Sequence, residues 1–296
     1  MMPVSLANAA IGPFVIRELI SAGGIAEVYR AQHRDDAKSY AVKVMRPERQ
    51  AEKQHLKAFH DEFALLQRLD HPGIPKARRL DEVKGRVCMV LDHVPGKTMY
   101  ALRIEKAAFD AVDVFRQLVA IAAYLHGEEI VHNDLKLENV ILRPDGVINL
   151  VDFGNAREHI KPGLRGRLLR KRVPVFGTPT YLAPELIADE ASPTPRSDCY
   201  SLGVCCFILL SGEPPFIFDR KSARLRAAVN KQAPSLRSRV PSVPLSFSRL
   251  IDNCLAKNPA QRPVDAGTLG AALRVIAKAN ESTLPTNVGP VGPIDL

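Results

Sequence analysis

The apolar residues of this chain change their period near Gly96, and that change limits the folds open to it. Upstream, residues 14–20, 27–32 and 40–45 carry the β-branched and aromatic side chains that pleated strands favour. Leu56, Phe59, Phe63 and Leu66 then fall on one helical stripe, which His71-Pro72-Gly73 closes. Residues 86–91 read as another strand, and Pro95-Gly96 breaks the chain. Downstream, Val112, Phe115, Leu118, Val119, Ala122 and Leu125 share a helical face, and Phe247, Leu250, Ile251 and Cys254 repeat the pattern. Arg143-Pro144-Asp145-Gly146 makes the turn of a small hairpin. Residues 202–210 are apolar all round, which predicts a buried central helix. A strand-rich small lobe followed by a helix-rich large lobe is an α+β, bilobal plan, with a cleft expected between the lobes.

At 296 residues, with 46% hydrophobic and 25% charged side chains, the chain can bury a core without disulfides or metals. Its longest apolar run, nine residues, is far short of the ~20 that a membrane helix needs. The first ten residues lack a basic region followed by a long apolar core and do not read as a signal peptide. Five cysteines without a C-x-x-C spacing argue for small core residues in a reducing cytoplasm rather than a disulfide framework. The net charge of +9 is local: residues 161–172 hold six basic side chains and no acid. Such a run is either a solvated loop or a surface for an acidic partner. It lacks the interleaved aromatics that stack on bases, which disfavours nucleic acid. Residues 1 to about 10 and 279–296 read as loose ends.

Four sites carry chemistry. Ile20-Ser21-Ala22-Gly23-Gly24-Ile25-Ala26-Glu27-Val28 lies between two strands, and glycines let backbone N–H groups approach phosphate oxygens. The plainer reading of the glycines alone is a hairpin turn. Lys43 follows in the next strand, in Ala41-Val42-Lys43, at a distance that lets it reach the same phosphates; the alternative is a snorkelling edge lysine. Glu62, on the helical stretch, can orient it through a charge-assisted bond or simply lie on a solvated face. In His132-Asn133-Asp134-Leu135-Lys136-Leu137-Glu138-Asn139, three polar groups and a histidine sit between apolar runs, too many for a turn to explain. An aspartate can accept a hydroxyl proton, and an asparagine carbonyl is a hard oxygen ligand suited to Mg²⁺. Asp152-Phe153-Gly154 follows a strand and offers a carboxylate for the same metal.

In this order and spacing the motifs resemble the protein kinase signature set. Gly177-Thr178-Pro179-Thr180-Tyr181-Leu182-Ala183-Pro184-Glu185 is similar to the family's substrate-docking segment. Asp198 resembles the residue that anchors the central helix, and Arg262 the arginine that pairs with Glu185. The resemblance covers residues 12–277. It implies an ATP- and Mg²⁺-dependent kinase with Lys43 on the α- and β-phosphates, Glu62 positioning it, and Asp134 taking the substrate proton. Lys136 would neutralise the transferring phosphoryl group, and Asn139 and Asp152 would bind Mg²⁺. Ile20, Ser21, Gly23 and Gly24 would line the nucleotide site. Val28, Ala41 and Ile141 would sandwich the adenine beside a hinge at Asp92-His93-Val94. Thr178 and Tyr181 would serve substrate docking. Lys136, two residues after Asp134, resembles serine/threonine rather than tyrosine kinases. The stretch Gly23 to Ala31 looks most like bacterial enzymes of this type. The implied organisation is an extension at 1–11, a kinase domain at 12–278 (small lobe 12–91, hinge 92–96, large lobe 97–278) and a flexible tail at 279–296.

Three departures stand out. Ser21 and Ala26 occupy positions where the family has glycines. Asn133 replaces the arginine usual before the catalytic aspartate. Residues 153–176 contain no Ser, Thr or Tyr to phosphorylate. A protein serine/threonine kinase acting on a protein substrate is the leading expectation. A pseudokinase scaffold and a small-molecule kinase on the same fold are the alternatives.

Overall fold

Alternation of buried and exposed side chains along the first third of the chain builds one antiparallel sheet. The strands are β1 (Ala10–Ile11), β2 (Phe14–Ala22), β3 (Ala26–His33), β4 (Ser39–Met45), β5 (Ala77–Val83) and β6 (Arg86–Asp92), in the order β1-β2-β3-β4-β6-β5. The structure, a computed structural model, describes residues 6–36, 38–159, 178–188, 192–217 and 221–279. Its contacts divide into two units, one ending at Gly96 and one starting at Lys97. The basic run 161–172, the hydroxyl-free stretch beyond residue 159 and the tail from 280 lie outside the described residues.

In the first unit the two faces of the sheet bury different residues. Ile16, Ala31, Val42, Val44, Cys88 and Val90 pack together on one face. Strand side chains alternate, so Lys43 points to the other face, with its register partners Val28 and Met89. There Ala26, Met45 and Met89 pack under Phe59 of α2 (Lys53–Arg68), which follows the short helix α1 (Pro47–Gln50).

The expected loose N-terminus needs correction over residues 6–11. Leu6 and Ile11 are each 1% exposed and belong to the first core cluster. Asn8 N donates to Ile16 O, and Ile16 N to Ala9 O, each at 2.9 Å. Two large apolar side chains, five positions apart, show no period, yet they cap the open face of the sheet.

The second unit opens with β7 (Lys97–Thr98), α3 (Met99–Ile104) and α4 (Ala111–Gly127). Asp110 caps α4 by accepting from Val112 N and Asp113 N at 3.0 and 2.9 Å. All six stripe residues of α4 are buried. Short strands β8 (Ile130–Val131), β9 (Val140–Leu142), β10 (Ile148–Leu150) and β11 (Arg157–Glu158) follow. The β9–β10 hairpin closes with Gly146 N donating to Arg143 O at 3.0 Å, with Gly146 in the left-handed region at φ +82°. Next come α5 (Pro184–Ile187), α6 (Pro195–Ser211), α7 (Lys221–Asn230), α8 (Leu236–Arg239), α9 (Leu245–Cys254) and α10 (Ala266–Ala279).

Helix α6 is the central helix, packed against α4, α9 and α10. It is buried over residues 197–210, and it starts seven residues before the apolar run. Gly203 lets α9 come close: a Cβ there would stand 2.7 Å from the Cys254 Cβ. The five cysteines are buried and free, as expected of core residues. Burial pushes the Cys88 and Cys254 thiols up to about 12, so neither is a thiolate at neutral pH. Among the described residues no helix is long and apolar enough to cross a membrane.

Candidate active site

The first unit supplies a lysine, an acid and a turn. Val28, Ala41 and Lys43 share one sheet face because Val28 is the cross-strand partner of Lys43 and Ala41 lies two residues before it. Glu62 falls on the buried stripe of α2 between Phe59 and Leu66 and is only 3% exposed at its side chain. Lys43 Nζ donates to both of its carboxylate oxygens, at 2.7 and 2.9 Å. The solvated-face alternative for Glu62 and the edge-lysine alternative for Lys43 both fall. Ile20 and Ser21 end β2 and are exposed, with Ser21 opposite Val28. Gly23 and Gly24 form the exposed tip. At the end of β6 the Asp92 carboxylate takes a two-pronged bond from Arg78, each prong 2.7 Å, and Val94 lies just beyond.

The second unit supplies the loop between β8 and β9, whose backbone hangs on one buried carboxylate. Asp198, 1% exposed at its side chain, accepts from His132 N at 2.8 Å and Asn133 N at 2.9 Å. His126 Nε2 lies 3.1 Å from the same group. Ala266 N donates to His126 Nδ1 at 3.0 Å, so neutral His126 carries its proton on Nε2 and donates to Asp198. Asn133 has φ +70°, a left-handed conformation that asparagine tolerates better than most side chains. His132 is fully buried against the edge of Phe153, with ring centroids 4.9 Å apart. Burial lowers its pKa despite Asp198, Asp134 and Asp152, so it is neutral at pH 7.

Within this loop Asp134 is 7% exposed. Its Oδ2 accepts from Lys136 Nζ at 2.7 Å and faces Asn139 Nδ2 at 3.4 Å. Asn139 Nδ2 also donates to the Asp134 carbonyl at 2.9 Å, which fixes the amide and leaves its Oδ1 arm on the other side. Asp152 follows β10 with φ +64°, a strained conformation for a residue with a side chain. Ile141 sits in β9 opposite Thr98 and Asn149.

The stretch 178–185 is tied to the helical core. Thr178 O accepts from Tyr181 N at 3.0 Å. Tyr181 is 4% exposed, and its carbonyl accepts from Ser201 Oγ at 2.8 Å. The Tyr181 ring is therefore an anchor for the segment rather than an exposed contact. Glu185 and Arg262 form a fork-to-fork pair, both bonds 2.7 Å, with the Arg262 side chain fully buried.

Spacing along the sequence found the loop, the lysine and the acids. It missed His126, which sits four residues after Ala122 on the apolar stripe of α4. A histidine on that stripe was the available signal. It also missed Arg46 and Arg49, which bond the carbonyls of the glycine turn.

Residues 14–271 match the protein kinase domain family. The serine/threonine-protein kinase PknL of Mycobacterium tuberculosis is 30% identical over 275 residues, spanning 92% of this chain and 67% of that protein. PrkC of Bacillus subtilis, also a serine/threonine-protein kinase, is 30% identical over 274 residues, covering 91% of this chain and 41% of its own length. Human calcium/calmodulin-dependent protein kinase type IV is 34% identical over 215 residues, 70% of this chain and 42% of that protein. The chain belongs to the protein kinase family. It is a protein serine/threonine kinase, with the strand-rich N-terminal and helical C-terminal regions of that fold.

Proposed function

We propose that the chain transfers the γ-phosphoryl group of ATP to serine or threonine hydroxyls of a protein substrate, with Mg²⁺ as the metal. The observation that carries this reading is the Asp134 carboxylate, held by Lys136 and backed by Asn139 in a buried loop. Its Oδ1 carries neither of those bonds and would accept the hydroxyl proton. Lys136 would offset charge on the transferring group. The fixed Asn139 amide and Asp152 are hard oxygen donors, and the Oδ1 arm turned from Asp134 suits a cation. Mg²⁺ keeps few protein ligands and completes its shell with phosphate oxygens and water, so two such donors would be enough to hold it. When bound, the metal would be held by Asn139 and Asp152 and would neutralise phosphate charge. Lys43 would hold the α- and β-phosphates, and Val28, Ala41 and Ile141 would pack on the adenine. Ile20, Ser21, Gly23, Gly24, Asp92 and Val94 would complete the nucleotide site, and Thr178 the substrate side.

The direct test is incubation with γ-labelled ATP and Mg²⁺, alone and with a cell extract. Label on the chain or on extract proteins is the expected result. Its absence in both would favour the scaffold reading, for which Ser21 and Ala26 speak. Against that reading stand the intact Lys43–Glu62 pair and the Asp134 network. Glu62→Gln should lower kcat/KM roughly 10- to 100-fold, because a hydrogen bond to a charged group is worth ~1.5–3 kcal/mol. Unchanged steady-state kinetics would remove Glu62 from the site.

The kinase would need no phosphate on its activation segment. Phosphorylation orders such segments by pairing with a cation, and Asn133 supplies none. Residues 153–176 offer no hydroxyl, and phosphate on Thr178 would place like charge near Asp134. Autophosphorylation would fall on the tail, at Ser282, Thr283 or Thr286. Phosphatase-treated protein, freed of phosphatase, should phosphorylate a peptide without a lag. A lag that ends as Thr178 or Thr180 gains phosphate would overturn this. The basic run 161–172 would face an acidic partner, and the buried, free cysteines suit a cytoplasmic signalling enzyme. The kinase domain would run from 12 to 278.

A further inference from the structure

The turn at Gly23-Gly24-Ile25 is held from one side by a single stretch of chain. Arg46 Nε donates to the Gly23 carbonyl at 2.7 Å and Arg49 Nε to the Gly24 carbonyl at 3.2 Å. The Arg46 main-chain amide donates to the Ile25 carbonyl at 2.9 Å. Three consecutive carbonyls are thus committed to residues 46–49. The mouth of the turn is closed by Gly23 N donating to Ala26 O at 2.9 Å.

The arginines are themselves braced. Arg49 pairs with Glu52 at 2.9 Å, and Arg46 lies 3.7 Å from Glu27. Gln50, the last residue of α1, donates to Gly85 O at 3.0 Å and accepts from Val87 N at 2.7 Å. Arg86 reaches Met45 O at 2.8 Å and Glu27 at 2.7 Å. The clamp is therefore fastened to the β5–β6 hairpin as well as to β4.

Holding a carbonyl also aims an amide. Among the described residues there are no cis peptides. In a trans peptide the N–H points away from the C=O. Committing the Gly23 and Gly24 carbonyls to the guanidinium groups turns the N–H groups of Gly24 and Ile25 the opposite way. Neither N–H has a partner among the described residues. Two successive open N–H groups are donors for an anion. Neither Gly23 nor Gly24 is left-handed; a Cβ on Gly24 would meet nothing within 4 Å, while one on Gly23 would stand a tight 3.2 Å from Ala26 O across the closed mouth of the turn. The bonds from residues 46–49 hold this conformation without a left-handed glycine.

We propose that Arg46 and Arg49 are positioning residues that hold the glycine-rich turn with its amides presented to the nucleotide phosphates. The proposal rests on the ATP-binding reading above. It predicts an effect on phosphate recognition and not on the rest of the nucleotide. In the full chain, Arg46→Ala/Arg49→Ala should bind ATP with Mg²⁺ about tenfold more weakly, the low end for charge-assisted bonds because both side chains are partly exposed. Adenosine, which lacks phosphates, should bind within about twofold of its original affinity, since no bond it would make is removed. In steady state the KM for ATP should rise while kcat changes little. Calorimetry with ATP and with adenosine reads the split. Unchanged ATP affinity, or equal weakening of both ligands, overturns the proposal and leaves the kinase reading intact. Failure of the unmodified protein to bind either ligand overturns both. Should the double variant not fold, Arg49→Gln at its more exposed site must show the same split, about threefold, or the proposal falls.

Discussion

Asp134→Asn is expected to lower phosphoryl transfer by ~10²- to 10⁴-fold, the usual cost of losing a positioned general base. The replacement has nearly the same shape. Its one remaining carbonyl oxygen can still accept from Lys136, and the Asn139 bond to the main-chain carbonyl of residue 134 is untouched. The loop also hangs on Asp198 through the amides of His132 and Asn133, which the change does not reach. Nucleotide affinity should therefore survive, and the loss should appear in kcat. Single-turnover transfer from labelled ATP, with calorimetric ATP binding alongside, separates the two. Turnover near that of the unmodified chain would remove Asp134 from the chemistry.

The second large effect is on stability. Arg262→Ala should destabilise the protein by about 3–5 kcal/mol, the cost of leaving one member of a buried ion pair alone. Arg262 uses every donor it has. Two go to Glu185, and the others to the carbonyls of Ala256, Arg196 and Lys257. Its guanidinium carbon also sits 5.0 Å from the Tyr200 ring centroid. Alanine strands a nearly buried Glu185 and those carbonyls together. A fall in Tm on the order of 10 °C is expected for a unit of this size. Lysine should rescue little, since it lacks the planar fork. Replacing Glu185 and Arg262 together with apolar residues should cost less than Arg262→Ala, because no lone charge remains. Denaturant unfolding of the set checks the order. A single variant as stable as the parent would mean that the pair does not fasten α5 to the helical core.

How much of this could be read from residues alone depended on the kind of signal each part leaves. Strands β2, β3, β4 and β6 were legible because β-branched side chains fill the sheet interior. Strand β5 was not: only its end residues Ala77 and Val83 are buried, and charge fills most of the middle. The central helix was found from its apolar stretch, but its first seven residues, about two turns, were missed. Ser197 and Asp198 are buried there to hold Thr194 and the loop amides, so their polarity hid a core position. Asp134, Lys136, Asn139 and Asp152 announced themselves by polarity between apolar runs. Arg46 and Arg49 did not. They act on main-chain carbonyls 23 and 25 residues away, and a carbonyl has no letter in a sequence.

The same distinction between letter and backbone bears on Asn133. Asp198 holds the loop by the amide of residue 133, not by its side chain, and the left-handed φ there suits asparagine. The bonds from Asp198 therefore reach the main chain whatever side chain stands at 133, while the left-handed φ favours an asparagine there over an arginine. The placing of Asp134 is thus written in main-chain bonds, and the side chain of residue 133 sets the charge beside it.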